Sequence, residues 1–126
     1  MPSKGFKQLI AEANAVIDTV SVADARALHQ DDDVVFVDVR ESHEHAQGHI
    51  PGSVHAPRGF LEFMADPEGP MHVPALALGK RLVLYCASGG RSALATKTLM
   101  DMGIRNICHV AGGLAAWTEA DGPIAR

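Results

Sequence analysis

The chain has 126 residues, of which 47% are hydrophobic, and this combination predicts one globular domain with a buried core and argues against disorder. Eleven basic against 15 acidic residues give a formal net charge of −4, which argues against a nucleic-acid-binding surface. Two cysteines are too few for a disulfide framework or a structural zinc set. No signal peptide and no stretch of transmembrane length are evident, so we expect a soluble cytoplasmic protein without a membrane partner.

The amino-terminal part predicts a helix and then a short edge strand. Apolar residues recur with helical spacing from Phe6 to Ile17. We expect this helix to lie on the surface of the domain, with a dimerisation face as the less favoured alternative. Residues 18–20 are compatible with an edge strand, and Ser21 with Asp24 has the form of a capping box that begins a second helix.

The next apolar run, residues 34–39, predicts a buried strand that ends beside an acidic residue. Asp38 has apolar neighbours on both sides, and a buried carboxylate needs a hydrogen bond or an opposite charge. Arg40 is the obvious partner. We interpret Asp38 and Arg40 as a structural ion pair that supports the adjoining loop, in preference to a direct catalytic role.

A histidine-rich segment follows this strand. We predict a short helix over residues 42–47 that ends at Gly48, and a brief third strand over residues 53–55. His45 and His49 have a spacing that metal ligands use. A metal site is disfavoured because the helix should end before His49 and no third ligand is evident. We expect His49 to fix the turn through a hydrogen bond.

Residues 58–80 form a long connection without a clear periodic pattern. Connections of this length are commonly functional or packed as Ω-loops. We expect it to lie beside the site described next and to influence substrate selectivity. Arg58, at its beginning, is a candidate second positive charge for an anionic substrate, and an ordinary surface arginine is the alternative.

The most informative stretch is an apolar strand that ends at a cysteine. Residues 82–85 predict a buried strand and place Cys86 at its carboxyl end, where open α/β sheets bind ligands. The small residues that follow let backbone N–H groups turn inward as an anion-binding nest, and the start of the next helix also favours negative charge. We therefore predict a thiolate nucleophile, with a small buried hydrophobe as the alternative. The residues predicted to form this cradle are Ala87, Ser88, Gly89, Gly90, Arg91 and Ser92.

The carboxyl-terminal part predicts two more helices and the last strand. A helix over residues 92–102 has one predicted face made of Leu94, Ala95, Thr98, Leu99 and Met102. The strand over residues 106–110 contains Cys108. We expect Cys108 to be inert packing, and a disulfide with Cys86 is the minority alternative. A tight glycine turn then leads into a helix whose Trp117 should pack into the core. Strands that alternate with helices imply a parallel sheet with helices on both faces, although the strand order stays open at this point.

Three motifs together resemble the rhodanese (sulfurtransferase) family. Cys86-x-x-Gly89-x-Arg91-Ser92 resembles its active-site loop. Asp38-Val39-Arg40, followed by Glu44 and Gly48-His49-Ile50-Pro51-Gly52-Ser53, is similar to its amino-terminal signature, and Gly112-Gly113-x-x-Ala116-Trp117 to its carboxyl-terminal one. The resemblance covers about residues 19–122 of a single domain, 1–126, and leaves residues 1–18 as a helical extension. It implies a three-layer α/β/α fold with a five-stranded, mostly parallel sheet in the order 1-5-4-2-3.

The resemblance also implies transfer of sulfane sulfur without a cofactor. The donor would be a small anion, thiosulfate or a persulfide, and the acceptor cyanide, a thiol or a protein. The sulfur would pass through a Cys86 persulfide. Arg91 would orient the donor, and Gly90 would leave the rim open to bulky acceptors. The sequence leaves the chain's state as monomer or homodimer open.

Two alternative functions remain. One is a persulfide carrier or interaction module with little turnover of its own. The other is the chemistry of phosphatases and arsenate reductases of similar fold, whose loops have one residue more than the four between Cys86 and Arg91. We disfavour the second because the shorter loop resembles that of the sulfurtransferases.

Overall fold

Five apolar runs of the sequence form one parallel sheet, in a computed structural model that describes all 126 residues. The strands stand in the order β1-β5-β4-β2-β3, and every neighbouring pair is parallel. This confirms the α/β class and the strand order. The bounds are β1 Thr19–Val20, β2 Val34–Asp38, β3 Val54–His55, β4 Arg81–Tyr85 and β5 Ile107–Val110.

Six α-helices surround the sheet, and two short 3₁₀ turns lie in the long connection between β3 and β4. The helices are α1 Phe6–Asn14, α2 Val22–Leu28, α3 Ser42–Gln47, α4 Leu61–Ala65, α5 Gly90–Asp101 and α6 Gly113–Glu119, and the turns are Arg58–Phe60 and Pro74–Ala77. Half of the predicted capping box is present at α2, where the Ser21 side chain accepts a hydrogen bond from the Asp24 N–H at 3.1 Å. None of the helices has the length and apolar character that crossing a membrane requires.

The core has one part on each face of the sheet because successive strand residues point to opposite sides. On the α5 side, Leu82, Leu84 and Cys86 pack with Leu99. On the other side, Val83, Tyr85 and Cys108 pack with Trp117, which is fully buried as predicted. The two cysteines therefore belong to different core clusters on opposite faces of the sheet.

The helix α5 buries Ala95 and Leu99 as predicted, but the rest of its buried face differs from the prediction. Leu94 is only half-buried and Met102 is 43% exposed, whereas Ala93 and two polar residues, Ser92 and Thr96, are fully buried. Ala93 is buried because α1 packs against α5, and Ser92 is buried because its side chain faces Cys86 and His109, so α5 is enclosed on two sides. The helix also begins at Gly90, two residues earlier than predicted.

The amino-terminal helix is shorter than predicted and only part of its apolar face is buried. It ends at Asn14, and Ala13 with the following Ile17 packs against Ala93 of α5. Phe6 and Leu9 are 67% and 42% exposed. The helical spacing was predicted correctly, but the first turn of α1 does not pack against α5 and leaves its apolar side chains exposed.

The long connection contributes Leu61, Ala65 and Leu76 to the core cluster that also contains Cys86. Its first residue, Arg58, donates its backbone N–H to the Val39 carbonyl at 3.0 Å, which places it at the carboxyl edge of the sheet. Farther along, Leu76 packs in the core and lines a cavity with Met102 and Ile104, beyond the last turn of α5. The connection thus reaches both the carboxyl edge of the sheet and the far end of α5, and its expected influence on substrate selectivity stays a prediction.

Candidate active site

The sulfur of Cys86 lies inside a ring of hydrogen-bond donors at the carboxyl end of β4. Its side chain is buried, and Sγ accepts the backbone N–H groups of Gly89 at 3.1 Å and Ser92 at 3.4 Å. The Ser92 hydroxyl oxygen is 3.5 Å from the same sulfur. Gly89 has a φ of 115°, a left-handed conformation that favours glycine and turns its N–H toward the sulfur.

These contacts stabilise a sulfur anion. Burial raises the pKa of the Cys86 thiol, but hydrogen bonds from the Ser92 side chain and from the backbone of Ser92, Gly89 and Ser88 outweigh it. The net pKa lies below the ordinary value of a cysteine. A hydrogen bond to the charged form favours that form, so the loop can hold a thiolate or any sulfur anion that replaces it.

The first turn of α6 holds the Cys86 loop from the other side of its backbone. Leu114 donates its N–H to the Cys86 carbonyl at 2.8 Å, and Ala115 to the Ala87 carbonyl at 3.0 Å. Gly113 has a φ of 58°, and a Cβ at this position would lie 2.5 Å from the Cys86 carbonyl oxygen. Only glycine allows this close approach of two backbones, which explains the second glycine of the carboxyl-terminal motif.

Arg91 lies next to the loop, but its charge already has a partner. Nη1 and Nη2 donate to the two carboxylate oxygens of Glu44 on α3, at 2.7 and 3.0 Å. Hydrogen bonds from Arg91 lower the pKa of Glu44 to about 2, so the pair stays charged at any working pH. The sequence did not identify this partner, although Glu44 is part of the amino-terminal motif. The donor-binding role of Arg91 remains a prediction.

Asp38 and Arg40 form the buried ion pair that the sequence predicted. The Arg40 side chain donates to both carboxylate oxygens of Asp38, at 3.0 Å from Nε and 2.8 Å from Nη2. The same Nη2 donates to the Gly48 carbonyl at 2.7 Å, and His45 Nδ1 lies 2.9 Å from Asp38 Oδ2. This network joins the end of β2 to both ends of the segment that carries Glu44.

Arg58 is the one candidate side chain that the structure places elsewhere. Its guanidinium donates to Glu62 at 3.0 Å and to the Thr98 hydroxyl at 3.1 Å. Thr98 stands six residues after Ser92 on α5, about 9 Å farther along the helix axis. Arg58 makes no hydrogen bond or ion pair with the Cys86 loop, and its role in substrate binding stays a prediction.

The rim at Gly90 is not open. A Cβ at this position would lie 3.2 Å from Cδ1 of Ile10 on α1. The expectation of free space here was wrong, because the residues before the predicted core cover this side of the loop. A cavity of about 450 Å³ reaches the loop from another side, at Ala87, and is also lined by Leu114 and Thr118 of α6.

The histidines after β2 are held by stacking and by backbone contacts. The His45 ring lies 3.8 Å from that of His49 and 4.5 Å from that of His55, both nearly parallel to it. His49 Nδ1 is 2.8 Å from the His45 carbonyl oxygen, the kind of turn-fixing contact that was predicted. The structure contains no group of three or more side chains arranged to hold a metal ion.

A second polar group behind the loop was not predicted at all. Ser92 Oγ lies 2.9 Å from Nδ1 of His109 on β5, and Nε2 of that ring lies 3.1 Å from the hydroxyl of Thr19 on β1. His109 is almost fully buried, whereas Thr19 is exposed at the edge of the sheet. The one available signal was a histidine in the middle of an apolar strand.

Comparison with known proteins gives a consistent result over the core of the chain. The model of the family described as Rhodanese-like domain matches residues 21–120. A sulfurtransferase from Allochromatium vinosum is 32% identical over 108 residues, which cover 86% of this chain and 92% of that protein. A putative sulfur carrier protein from Bacillus subtilis is 29% identical over 91% of this chain, and an uncharacterised Synechocystis protein is 36% identical over 86% of it. The chain spans only 58% and 56% of the length of these last two.

Solved structures agree with the fold. A protein of unknown function from Rhodopseudomonas palustris, described as a possible tyrosine phosphatase, superposes with a TM-score of 0.95 at 46% identity and covers 99% of this chain and 97% of its own. A rhodanese-related protein from Thermoplasma volcanium superposes with a TM-score of 0.72 at 29% identity, over 86% of this chain and 97% of its own. The match of the first structure includes α1, which lies outside the family match.

Proposed function

The chain belongs to the rhodanese-like domain family, and we propose that it transfers sulfane sulfur from thiosulfate or a persulfide to a thiophilic acceptor through a persulfide on Cys86. Sulfur transfer in general is supported by the family and by a relative that is named a sulfurtransferase. The observation that carries the finer proposal is the ring of donors around Sγ, with the N–H groups of Gly89 and Ser92 at 3.1 and 3.4 Å.

The first half-reaction uses the thiolate directly. Cys86 Sγ attacks the outer sulfur of thiosulfate, a new S–S bond forms, and the bond to the sulfite group breaks with its electron pair leaving on sulfite. The product is an enzyme persulfide whose terminal sulfur carries the negative charge. The backbone N–H groups of the loop stabilise this charge as an oxyanion hole stabilises oxygen. No general base is needed at the moment of attack because the nucleophile is already ionised.

The second half-reaction returns the thiolate. Cyanide or a thiolate attacks the terminal sulfur, and the electrons of the broken S–S bond return to Cys86. Two successive displacements of this kind give ping-pong kinetics. The same persulfide would serve a carrier that delivers its sulfur only to a protein partner, and this remains the main alternative because one relative is named a putative sulfur carrier.

Phosphate-ester hydrolysis is less well supported, although one similar structure is described as a possible tyrosine phosphatase. A phosphoryl group spreads its charge over three equatorial oxygens and needs a guanidinium aimed into the cradle. Here Arg91 makes its bidentate contact with Glu44 instead. The four-residue spacing between Cys86 and Arg91 also resembles the shorter loop of the sulfurtransferases.

Intact mass spectrometry tests the proposal most directly. We expect incubation with thiosulfate to add one sulfur atom to the protein, and later incubation with cyanide to remove it. Only Cys86 should be labelled, because burial raises the pKa of Cys108, whose side chain packs in the core cluster on the other face of the sheet. A protein that takes up no sulfur but hydrolyses p-nitrophenyl phosphate would contradict the proposal, and two added sulfur atoms would contradict the inert role of Cys108.

The Arg91–Glu44 pair gives a second test with opposite outcomes for its two members. Arg91→Ala should raise the KM for thiosulfate because it removes the positive charge beside the loop. Glu44→Gln should lower the KM because it releases the guanidinium from its carboxylate. Steady-state kinetics at low ionic strength measure both effects. If both variants shift the KM in the same direction, the pair supports the structure of the loop and Arg91 does not bind the donor.

A further inference from the structure

A continuous line of polar side chains leads from the buried sulfur to the surface. It runs from Cys86 Sγ to Ser92 Oγ at 3.5 Å, then to His109 Nδ1 at 2.9 Å, and from His109 Nε2 to Thr19 Oγ1 at 3.1 Å. In register, Thr19 pairs with His109, and His109 with Leu84, two residues before Cys86. All four members of the line therefore lie on the α5 face of the sheet.

Each intermediate group in this line can both donate and accept a hydrogen bond. With a neutral thiol, Cys86 donates to Ser92, Ser92 donates to Nδ1 of His109, and Nε2 donates to Thr19. With a sulfur anion, every bond reverses: Thr19 donates to Nε2, Nδ1 donates to Ser92, and the Ser92 hydroxyl donates to the sulfur. Both arrangements use every contact of the line, so the line fits either charge state without an unpaired polar group. The Ser92 hydroxyl also lies 3.3 Å from the Gly89 carbonyl oxygen, a longer contact than its 2.9 Å to His109 Nδ1.

We propose that His109 is a positioning residue for the sulfur-transfer reaction, which acts through Ser92 to set the charge of the sulfur on Cys86 and carries the thiol proton to solvent at Thr19. This inference rests on the proposed function. His109 does not touch the substrate. It controls whether the Ser92 hydroxyl points toward the sulfur or away from it.

The protons balance when each group in the line passes one proton to the next group. The thiol proton passes to Ser92 Oγ, the former Ser92 proton passes to His109 Nδ1, the Nε2 proton passes to Thr19 Oγ1, and the former Thr19 proton passes to water. One proton has left the protein, the sulfur is an anion, and His109 is neutral in its other tautomer. The line has then reached the reversed arrangement without any further rearrangement.

The surroundings of His109 fit a group that passes a proton on and does not keep it. Burial lowers its pKa, so the neutral ring is favoured. Its neighbours on the α5 face are Leu84 of β4, Thr19 of β1 and Ser92 of α5, which are all uncharged. The charged residues next in sequence to Ser92 and Thr19 are Arg91, paired with Glu44, and Asp18, whose backbone carbonyl accepts the His109 N–H at 3.1 Å. No ion pair holds the ring in a charged form.

Two replacements of His109 separate hydrogen bonding from packing. In His109→Phe an aromatic ring fills the space but cannot bond to Ser92, whereas in His109→Asn an amide offers a donor and an acceptor near the position of Nδ1. The readout is the rate of Cys86 alkylation by iodoacetamide against pH, with the labelled site identified by mass. We expect His109→Phe to raise the apparent pKa of Cys86 enough to reduce the thiolate fraction about three- to tenfold, and His109→Asn to recover most of it.

The same readout keeps the two proposals distinguishable, because alkylation does not require sulfur transfer. A wild-type protein that accepts no sulfur would remove the proposed function. The role of His109 alone would be overturned if the wild type accepts sulfur but the alkylation profile is unchanged in His109→Phe, or is shifted equally in both variants.

If His109→Phe does not fold, variants of the exposed Thr19 test the same line. Thr19→Val should shift the profile in the same direction and Thr19→Ser should not, while equal profiles for these two would also overturn the proposal.

Discussion

Cys86→Ser is expected to abolish sulfur uptake and to reduce thiosulfate:cyanide sulfurtransferase activity to background. A serine hydroxyl keeps the size of the side chain but does not ionise near neutral pH, so the N–H groups of Gly89 and Ser92 would face a neutral oxygen. The side chain is buried and its neighbours lie in a close-packed core cluster, so the substitution should change the chemistry far more than the fold. Activity and intact mass, measured on the same preparation, check this result.

Cys108→Ser is the matched control for this experiment. It makes the same atomic change in a buried cysteine on the neighbouring strand β5, but on the other face of the sheet. We expect it to cost some stability, because a buried hydroxyl needs a partner, and to leave the sulfur stoichiometry at one. If Cys86→Ser kept sulfurtransferase turnover, or if only Cys108→Ser lost it, Cys86 would not be the nucleophile.

Local patterns in the sequence were sufficient to predict the strands and the loop that follows Cys86. The run before Cys86 is apolar and continuous because β4 is buried on both faces, and a continuous apolar run is the ordinary signature of a parallel strand. The anion-binding nest after Cys86 depends on small residues and on a glycine with positive φ, and both are local properties of the chain. The ion pair of Asp38 and Arg40 is also local, since the two residues are separated by one position.

The contacts that the sequence did not reveal join residues far apart in the chain. Glu44 and Arg91 are 47 positions apart, and Ser92 and His109 are 17 apart on different elements. The buried face of α5 was predicted only in part for the same reason, because α1 covers the side of the helix at Ala93, which its own periodicity marks as exposed. Hydrophobic spacing describes one element against one core, and it does not describe a helix that is enclosed by two neighbours.

One such distant contact explains why the amino-terminal motif and the cysteine loop occur together. Tyr85, the residue before Cys86, accepts the Ile50 N–H at 3.0 Å and lies 3.0 Å from the Ser53 hydroxyl oxygen. Burial raises the pKa of Tyr85 to about 12, so this phenol stays neutral and able to hydrogen-bond. The turn of residues 50–53 is thereby fixed to the end of β4, next to the nucleophile.

The second large effect is expected from Asp38→Asn, which should destabilise the fold by about 3–5 kcal/mol. Arg40 is only 6% exposed, and in the variant its guanidinium would remain buried without its countercharge. An amide also cannot accept all the hydrogen bonds that Arg40 and His45 direct at the two carboxylate oxygens. Urea unfolding followed by the fluorescence of Trp117, the single tryptophan, measures the difference.

The control for Asp38→Asn is the same chemical change in an exposed pair. Asp101→Asn removes the partner of Lys97 on α5, where the Asp101 side chain is 67% exposed, and should cost less than about 1 kcal/mol. Similar losses of unfolding free energy in both variants would mean that burial of the Asp38–Arg40 pair does not increase the cost of losing the charge. The comparison therefore separates the loss of a charge from the loss of a charge in the core.

The effect of Asp38→Asn should also depend on pH in a definite direction. Burial raises the pKa of Asp38, but hydrogen bonds from Arg40 and His45 outweigh it, so the net pKa in the folded protein lies below the ordinary value. A lowered folded-state pKa gives stability that is complete above the unfolded pKa of about 3.9 and is lost as the pH falls through the folded value. The difference in the free energy of unfolding between wild type and Asp38→Asn should therefore be constant near neutrality and become smaller below about pH 4.

Arg40 also donates to the Gly48 carbonyl at the end of α3. Protonation of Asp38 should therefore also loosen α3, the helix that carries Glu44, the partner of Arg91. A difference in unfolding free energy that stays constant down to pH 3 would show that the stabilisation does not come from the charge of Asp38.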